Sequence, residues 1–234
     1  ARGGFKLRHG GANLLRVAAG VGGFQRLGGV EHGAVVRAHG RLLALALDDR
    51  RFERITAPTR RPLTAADRLV NPIVDFDQLP ADARWWQADA VVCALGTTLA
   101  QAGSREAFRR VDHDYVLTAA LHARRAGAST FVLNSSLGAD PAAGSFYLRV
   151  KGEIEQDLRA IGFGSLTLVR PSLLDGGPRP DNRPGEAIGL VFARLLRPLL
   201  PRRVRAVSTE RVARAMLQAA LAAPAGVQVI ESER

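Results

Sequence analysis

From about residue 40 onward the chain alternates short apolar segments with helical patterns, and this alternation constrains the fold more than any other feature. The clearest buried strands are predicted at 90–95 and 129–134, and long helical patterns follow them at 105–126 and 145–161. Strands that alternate with helices form βαβ units, which build a parallel sheet with helices on both faces. We therefore predict an α/β fold with a doubly wound parallel sheet.

Shorter patterns extend this prediction in both directions. They indicate strands at 52–57, 71–76, 165–169 and 227–230, and helices at 41–49 and 209–222. No internal repeat or interdomain linker separates them, and 234 residues can bury a substantial core. Residues 1–234 are therefore interpreted as a single domain.

Residues 1–40 differ from the rest of the chain. They contain eleven of the 24 glycines and no proline, and they show no clear periodicity. Only 14–19 and 33–36 are weak candidates for a first strand. We hypothesise that this segment is disordered, or that it comes from a shifted reading frame or a wrongly assigned start and is joined to an intact sequence.

The net charge of +11 does not by itself indicate nucleic-acid binding. Residues 1–61 contain twelve Lys and Arg against four Asp and Glu, whereas the other 173 residues contain 21 against 18. Only two of the 33 basic residues are lysine, a bias that codon usage in a GC-rich genome would produce. We expect no nucleic-acid partner.

Cysteine and histidine content limits the other classes of site. Cys93 is the only cysteine, so no intrachain disulfide can form, and a reducing cytoplasm is expected. No secretory signal and no apolar run of about 18 residues is evident, so we expect no membrane partner. The five histidines have no metal-ligand spacing, and no metal site is predicted.

Tyr147 and Lys151 form the strongest candidate for chemistry. A spacing of four places both side chains on one face of a helix. A phenol beside a fixed ammonium loses its proton more easily, and proton exchange of this kind serves hydride transfer at a carbonyl. The same spacing is common in helices that have no catalytic role, so its meaning depends on the context.

That context is a strand that ends in hydroxyl groups. Ser135 and Ser136 directly follow the predicted strand 129–134. Ligands of open α/β sheets bind at the carboxyl ends of strands. Either serine alone is typical of a turn or a helix cap. Together with the Tyr–Lys pair, one of them becomes a candidate hydrogen-bond donor to a substrate oxygen.

Four motifs stand in order along the chain, at 93–98, 135–140, 146–153 and 170–174. Together they resemble the atypical short-chain dehydrogenase/reductase superfamily, and among its members the small bacterial proteins related to the human Tat-interacting oxidoreductase-like protein. The resemblance covers residues 41–234 and implies a Rossmann-like fold that binds NAD(P).

The resemblance also implies roles for individual residues. Tyr147 would be the acid and base, Lys151 would hold the nicotinamide ribose and tune Tyr147, and Ser135, ahead of Ser136, would bind the substrate oxygen. The other positions implied to contact the cofactor are Gly33, Asp75, Gly96, Thr97, Thr98, Pro171 and Ser172. Each of these also has an ordinary structural interpretation, as a turn glycine, a loop end or a strand terminator.

Two arginines bear on cofactor choice. Arg60 and Arg61 follow the second predicted strand, where NAD-specific enzymes tend to place an acid that binds the ribose hydroxyls. Arginine there suits a 2′-phosphate. We therefore favour NADP over NAD, with two unremarkable surface arginines as the alternative.

The glycine turn departs from the family pattern. Counting back from Arg60 at the family spacing places the first glycine at Gly33, but the other two positions are Val36 and His39. Side chains at those positions would crowd a pyrophosphate. The first strand would then be 27–32, which is a poor core strand because it contains glycines and a charge.

Three functions follow from these observations. The leading one is an NADP-dependent oxidoreductase acting on a small carbonyl or alcohol substrate. The second is a non-catalytic NADP-binding regulatory or scaffold protein, which a defective glycine turn would favour. The third is a nucleotide-sugar epimerase or dehydratase, for which few residues remain after Pro171. A homo-oligomer is left open.

Overall fold

A seven-stranded parallel sheet forms the centre of the protein. The computed structural model describes residues 14–18, 34–172, 174–175 and 207–231, and the side chains of 40–172 and 207–231. The strands are β1 (Leu14–Ala18), β2 (Arg54–Thr56), β3 (Leu69–Val70), β4 (Ala90–Cys93), β5 (Thr130–Asn134), β6 (Ser165–Arg170), β7 (Leu174–Asp175), β8 (Val207–Ser208) and β9 (Gly226–Glu231).

The strand order shows that the sheet is doubly wound. It runs β3-β2-β1-β4-β5-β6-β9, and every pair is parallel, while β7 and β8 form a separate small parallel pair. The chain moves outward from β1 to β3, returns to the centre at β4, and then moves outward the other way. The order therefore reverses between β1 and β4.

Helices cover both faces of the sheet. They are α1 (Ala34–Asp48), α2 (Leu99–Ala102), α3 (Arg105–Arg109), α4 (Tyr115–Arg125), α5 (Phe146–Ile161) and α6 (Thr209–Ala222). Because side chains of a strand alternate between faces, β4 contributes to two cores. Val91 and Cys93 pack in the core that contains residues of α4 and α5, whereas Ala90 and Val92 pack in the core that contains residues of α1 and α6.

The helical segment after β4 is not regular. A π-helical turn, Arg110–Asp114, joins α3 to α4 and contains two buried polar residues, Asp112 and His113. The ring nitrogens of His113 lie 2.8 Å from an oxygen of Asp114 and 3.0 Å from an oxygen of Asp157 on α5. The π turn is thereby connected to α5.

A single arginine closes the end of α1. Arg68 donates hydrogen bonds to the backbone carbonyls of Leu47, Asp49 and Phe52. The last carbonyls of a helix have no partners within it, and a cationic side chain satisfies them well. Arg68 itself has a φ of 64°, a left-handed conformation that is unusual for a side chain larger than asparagine.

The prediction of a Rossmann-like parallel sheet is confirmed, with two corrections. The sequence predicted a strand at 71–76, but β3 lies at Leu69–Val70, and the segment after it forms one isolated bridge, Thr59 with Ile73, and a 3₁₀ turn, Phe76–Gln78. One proline, Pro72, and the exposed acids Asp75 and Asp77 limit pairing in this stretch.

The first strand is the second correction. The family spacing placed it at 27–32, but β1 is Leu14–Ala18, which lies within the weak candidate at 14–19, and it pairs with both β2 and β4. Val36 and His39 belong to α1 and not to a glycine turn. Gly33 lies outside the described residues.

Within the part of the chain that the structure describes, no helix is both long and apolar enough to cross a membrane. No group of three potential metal-ligating side chains is found there either.

Candidate active site

The topology places a crevice at the carboxyl ends of β1 and β4, because the strand order reverses between them. In open α/β sheets this reversal point is where ligands bind. Gly96 and Thr97 follow β4, and Ser135 follows the neighbouring β5. These predicted residues are therefore brought to one edge of the sheet.

Tyr147 and Lys151 lie in the first two turns of α5, as predicted. The Tyr147 ring is half-buried and lies 5.5 Å from the ring of Phe108 on α3, measured between centroids. No described residue forms a hydrogen bond with its hydroxyl. Lys151, in contrast, is almost completely buried.

The ammonium of Lys151 pairs with a carboxylate that the sequence analysis did not identify. Its Nζ lies 2.8 Å from Oδ1 of Asp112, and the two side chains are 5% and 1% exposed. The other oxygen of Asp112 accepts a 2.7 Å hydrogen bond from the backbone N–H of Thr97. Asp112 thus joins α5 to the turn after β4.

The electrostatics of this pair follow from burial and proximity. Burial opposes the charged form of Lys151, but the nearby Asp112 carboxylate, followed by the Tyr147 phenol, outweighs it and raises the pKa of Lys151. Burial also raises the pKa of Asp112, although the charge of Lys151 and the Thr97 N–H act in the opposite direction. The Asp112 carboxylate therefore favours the charged form of Lys151 beside Tyr147.

Ser135 has a different environment from the one expected. Its hydroxyl donates a 2.5 Å hydrogen bond to Oε1 of Glu155, a buried residue four positions after Lys151 on the same face of α5. Arg170, at the end of β6, donates to both oxygens of Glu155, at 3.0 and 2.6 Å. The hydroxyl proton of Ser135 is therefore committed to a buried network.

Ser136 is the more accessible of the two serines. It is half-buried, and its hydroxyl makes only a long 3.4 Å contact with the carbonyl of Leu137. The backbone of this turn is fixed to the end of β6, since Leu137 N–H donates to the carbonyl of Pro171 at 2.9 Å. Pro171 and Ser172 directly follow β6, so both lie at the same edge of the sheet.

A second group of predicted residues gathers beyond β2 and β3. The guanidinium of Arg60 lies 5.8 Å from the ring centroid of Phe76, and Phe76 in turn packs against Tyr115. Asp75 is exposed and caps the 3₁₀ turn by accepting the Asp77 N–H at 3.0 Å. Arg60 therefore contacts the ring of Phe76, and Asp75 is the residue that precedes Phe76 in the chain. Arg61 is exposed beside this group.

The remaining predicted residues have local roles in the structure. Thr98 is exposed and caps α2, because its hydroxyl accepts the Gln101 N–H at 3.2 Å. Gly96 is half-buried, and a Cβ added there would lie 3.2 Å from Asp112 Oδ1 and 3.7 Å from Lys151 Nζ. A side chain at position 96 would therefore press on the Asp112–Lys151 pair.

Gly152, next to Lys151, allows the backbone of Asp140 and Pro141 to pack closely against α5. A Cβ at this position would lie only 2.1 Å from the carbonyl carbon of Asp140. Any side chain would therefore collide with the backbone of Asp140 and Pro141. The absence of a side chain lets this segment cross α5 beside the Tyr–Lys pair.

Comparisons with known proteins agree with this architecture. The chain is 38% identical to Protein HTATIP2 from Rattus norvegicus over 156 residues, which are 64% of each protein. It is 46% identical to the mitochondrial protein fmp52 from Emericella nidulans over 102 residues, covering 44% of this chain and 43% of the relative. The chain thus spans less than two thirds of the length of these curated relatives. No protein-family model matches it.

Solved structures share the fold across nearly the whole chain. MoeE5 in complex with UDP-glucuronic acid and NAD superimposes with a TM-score of 0.65 and 17% identity, covering 93% of this chain and 75% of that one. The four motifs in register, the doubly wound sheet and these relatives agree. The chain is therefore similar in sequence to these relatives, and it has the fold that its resemblance to the atypical short-chain dehydrogenase/reductase superfamily implies.

Two details of the sequence analysis are corrected by the same comparisons. The relatives named above are from rat and a fungus, and they give no support to a bacterial subgroup. The fungal relatives are named as mitochondrial proteins, which contradicts our prediction of a cytoplasmic protein.

Sequence analysis missed two residues of the site. Glu155 continues the spacing of Tyr147 and Lys151 by four more residues, so the helical pattern could have revealed it. Asp112 had no comparable signal, because a π turn changes which side chains of the helix point inward.

Proposed function

We propose that the chain is an NAD(P)-dependent oxidoreductase that transfers hydride to or from the carbon of a small carbonyl or alcohol. The observation that carries the proposal is the placement of Tyr147 and Lys151 on one face of α5, with Lys151 beside Gly96 at the reversal point of the sheet. Several structural neighbours, including the MoeE5 complex, contain NAD, which supports a nicotinamide cofactor.

The residues present fit such a cofactor. Gly96 leaves room beside the ammonium of Lys151, where a side chain would intrude, and the two lie at the crevice expected for a dinucleotide. Lys151 would bind the ribose next to the nicotinamide, and the backbone of Gly96 and Thr97 would contact the cofactor. When bound, the nicotinamide ring supplies or accepts the hydride.

Tyr147 would exchange a proton with the substrate oxygen. Its hydroxyl has no partner among the described residues and its side chain is only partly buried, which supports access by a substrate. The buried cation at Lys151 stabilises negative charge that develops on the phenol oxygen. The ring of Phe108 packs against the Tyr147 ring, with their centroids 5.5 Å apart.

We further propose that Ser136, and not Ser135, polarises the substrate oxygen. A carbonyl is polarised by a hydrogen-bond donor, and the proton of Ser135 is held by Glu155 at 2.5 Å. Ser136 has only a weak contact and can turn toward a ligand. Ser135 would then position the turn instead of contacting substrate.

NADP is the favoured form of the cofactor. Arg60 is held over Phe76 just after β2, where the adenosine ribose would lie, and Arg61 is exposed beside it. A guanidinium can bind a 2′-phosphate through two parallel hydrogen bonds. Replacing Arg60 with Met should weaken NADPH binding by at least about tenfold and leave NADH binding nearly unchanged, which paired fluorescence titrations would show.

The test of the activity is the Tyr147→Phe variant. Turnover over a panel of small aldehydes and ketones should fall by at least about a hundredfold, because the proton donor is lost, whereas NADPH affinity should stay within about twofold. Tyr115→Phe is a matched control, since Tyr115 donates to Asp77 away from the Tyr–Lys pair. Equal turnover in the Tyr147→Phe variant would refute the assignment. Tight NADPH binding without turnover in the native chain would support a regulatory protein instead.

A further inference from the structure

Asp112 reaches the site because of the π turn. In this turn, Asp112 and His113 are both buried, but they serve different neighbours. His113 is held between Asp114 and Asp157, whereas Asp112 points to Lys151 and Thr97. π turns often occur at functional sites because they redirect side chains that a regular helix would hold elsewhere.

Both oxygens of Asp112 are engaged, and each contacts a different part of the site. Oδ1 lies 2.8 Å from the ammonium of Lys151, and Oδ2 accepts the Thr97 N–H at 2.7 Å. The space at Gly96 is part of the same arrangement, since a Cβ there would stand 3.2 Å from Oδ1. One buried carboxylate therefore contacts both α5 and the turn after β4.

We propose that Asp112 is a positioning residue that holds Lys151 as a cation and fixes the Gly96–Thr97 turn at the same time. The Tyr147–Lys151 pair and the Gly96–Thr97 turn are then coupled through this one side chain. This inference rests on the proposed function for its catalytic meaning, but the coupling itself is a property of the chain without ligands. The ionisable groups facing Lys151 are Asp112, Tyr147 and Cys93.

The sequence makes the charge of Lys151 directly measurable. The chain contains only two lysines, Lys6 and Lys151, so ¹³C-lysine labelling gives two Cε signals, and a Lys151→Arg variant assigns them. In the native chain the Lys151 signal should not titrate below about pH 10.5. In Asp112→Asn, which keeps the shape but removes the counter-charge, its midpoint should fall by more than about one pH unit.

Asp114→Asn is the matched control, because Asp114 lies on the same π turn and contacts His113 instead of Lys151. Its Lys151 titration should equal that of the native chain. An unchanged Lys151 midpoint in folded Asp112→Asn overturns the proposal. If that variant does not fold, Gly96→Ala serves in its place: it presses on Oδ1 without removing a charge, and it should lower the midpoint by a smaller amount.

The titration uses neither cofactor nor substrate, so its outcome is separate from that of the proposed function. A chain without turnover can still show the Asp112-dependent shift, which supports the coupling and refutes only the oxidoreductase. A chain that turns over substrate but has an Asp112-independent Lys151 midpoint refutes only the coupling.

Discussion

Replacing Asp112 with asparagine should make the free energy of unfolding rise between pH 7 and pH 9, a range in which the contribution of Lys151 to the native chain is constant. The variant retains the side-chain shape and an acceptor for the Thr97 N–H, but it leaves the ammonium of Lys151 buried without a counter-charge. Removing one partner of a buried ion pair typically costs about 3–5 kcal/mol.

Loss of the lysine proton limits that cost. Deprotonating an ordinary lysine at pH 7 requires about 4.6 kcal/mol, so the uncompensated charge cannot destabilise the variant by much more than this. If Lys151 is neutral in the folded variant and charged after unfolding, the unfolded state binds one more proton. The free energy of unfolding of the variant should then rise by about 1.4 kcal/mol per pH unit up to about pH 10.

The native chain behaves differently. Burial disfavours the charged form of Lys151, but the Asp112 carboxylate outweighs this effect, so the pKa of Lys151 is raised. Folded and unfolded states then both hold the proton below the unfolded pKa of about 10.4, and the contribution of Lys151 is constant there. It is lost only as the pH rises further, through the folded pKa. The raised pKa of Asp112 can only make native stability fall as pH rises.

Urea unfolding at pH 7, 8 and 9, followed by the fluorescence of the buried Trp86, measures this difference. The destabilisation of Asp112→Asn relative to the native chain should shrink between pH 7 and pH 9, by up to about 2.8 kcal/mol if Lys151 is neutral in the folded variant over the whole range. Asp114→Asn should run parallel to the native chain over this range, since both Asp114 and its neighbour His113 lie away from Lys151. A constant difference between Asp112→Asn and the native chain would refute the reasoning.

Three further perturbations test the packing around the site. Gly152→Ala should lower the free energy of unfolding in urea by about 2 kcal/mol or more, since its Cβ would stand 2.1 Å from the backbone of Asp140. Gly40→Ala, whose Cβ would have nothing within 4 Å, should instead raise it by up to about 1 kcal/mol. Equal effects of the two substitutions would contradict the predicted collision. Arg68→Met should lower the free energy of unfolding by about 2–4 kcal/mol, because three carbonyls near the end of α1 lose a charged hydrogen-bond donor. A loss of stability below about 0.5 kcal/mol, measured by calorimetry, would show that these carbonyls do not need Arg68. Burial raises the pKa of Cys93 to about 12, so a thiol reagent at pH 8 should label it only after unfolding; rapid labelling of the folded chain would be inconsistent with this burial.

The elements with strong periodicity could be predicted from the sequence. The predicted helix at 209–222 coincides with α6, and the strand ending at Asn134 and the helix carrying the Tyr–Lys pair lie within a residue of their predicted bounds. Each has an apolar pattern strong enough to determine its structure locally. The strand β3 could not be found this way, because it contains two residues and depends on its pairing with β2.

β1 illustrates a different limit. Its five residues include an arginine and are surrounded by glycines, so they give a weak local signal. Their place in the sheet comes from hydrogen bonds to β2 on one side and β4 on the other. Pairing of this kind is a tertiary interaction that local propensity does not contain.

The candidate site was predicted only in part. The sequence identified Tyr147, Lys151 and the two serine positions, since all lie at strand ends or at a helical spacing. It could not show that Glu155 holds the hydroxyl of Ser135, because that contact joins two elements 20 residues apart. Nor could it reveal Asp112, whose direction depends on the irregular helix.

The π turn also lets the continuous helical segment from α3 to α4 contact two different aromatic groups. A π turn accommodates one residue more than a regular turn, so side chains after it are rotated by about 100° relative to those before it. Phe108, before the turn, packs against the ring of Tyr147, whereas Tyr115, after it, packs against Phe76 beside Arg60. Deleting one residue from the turn should remove this change of phase, so that Phe108 and Tyr115 could no longer pack against Tyr147 and Phe76 at the same time.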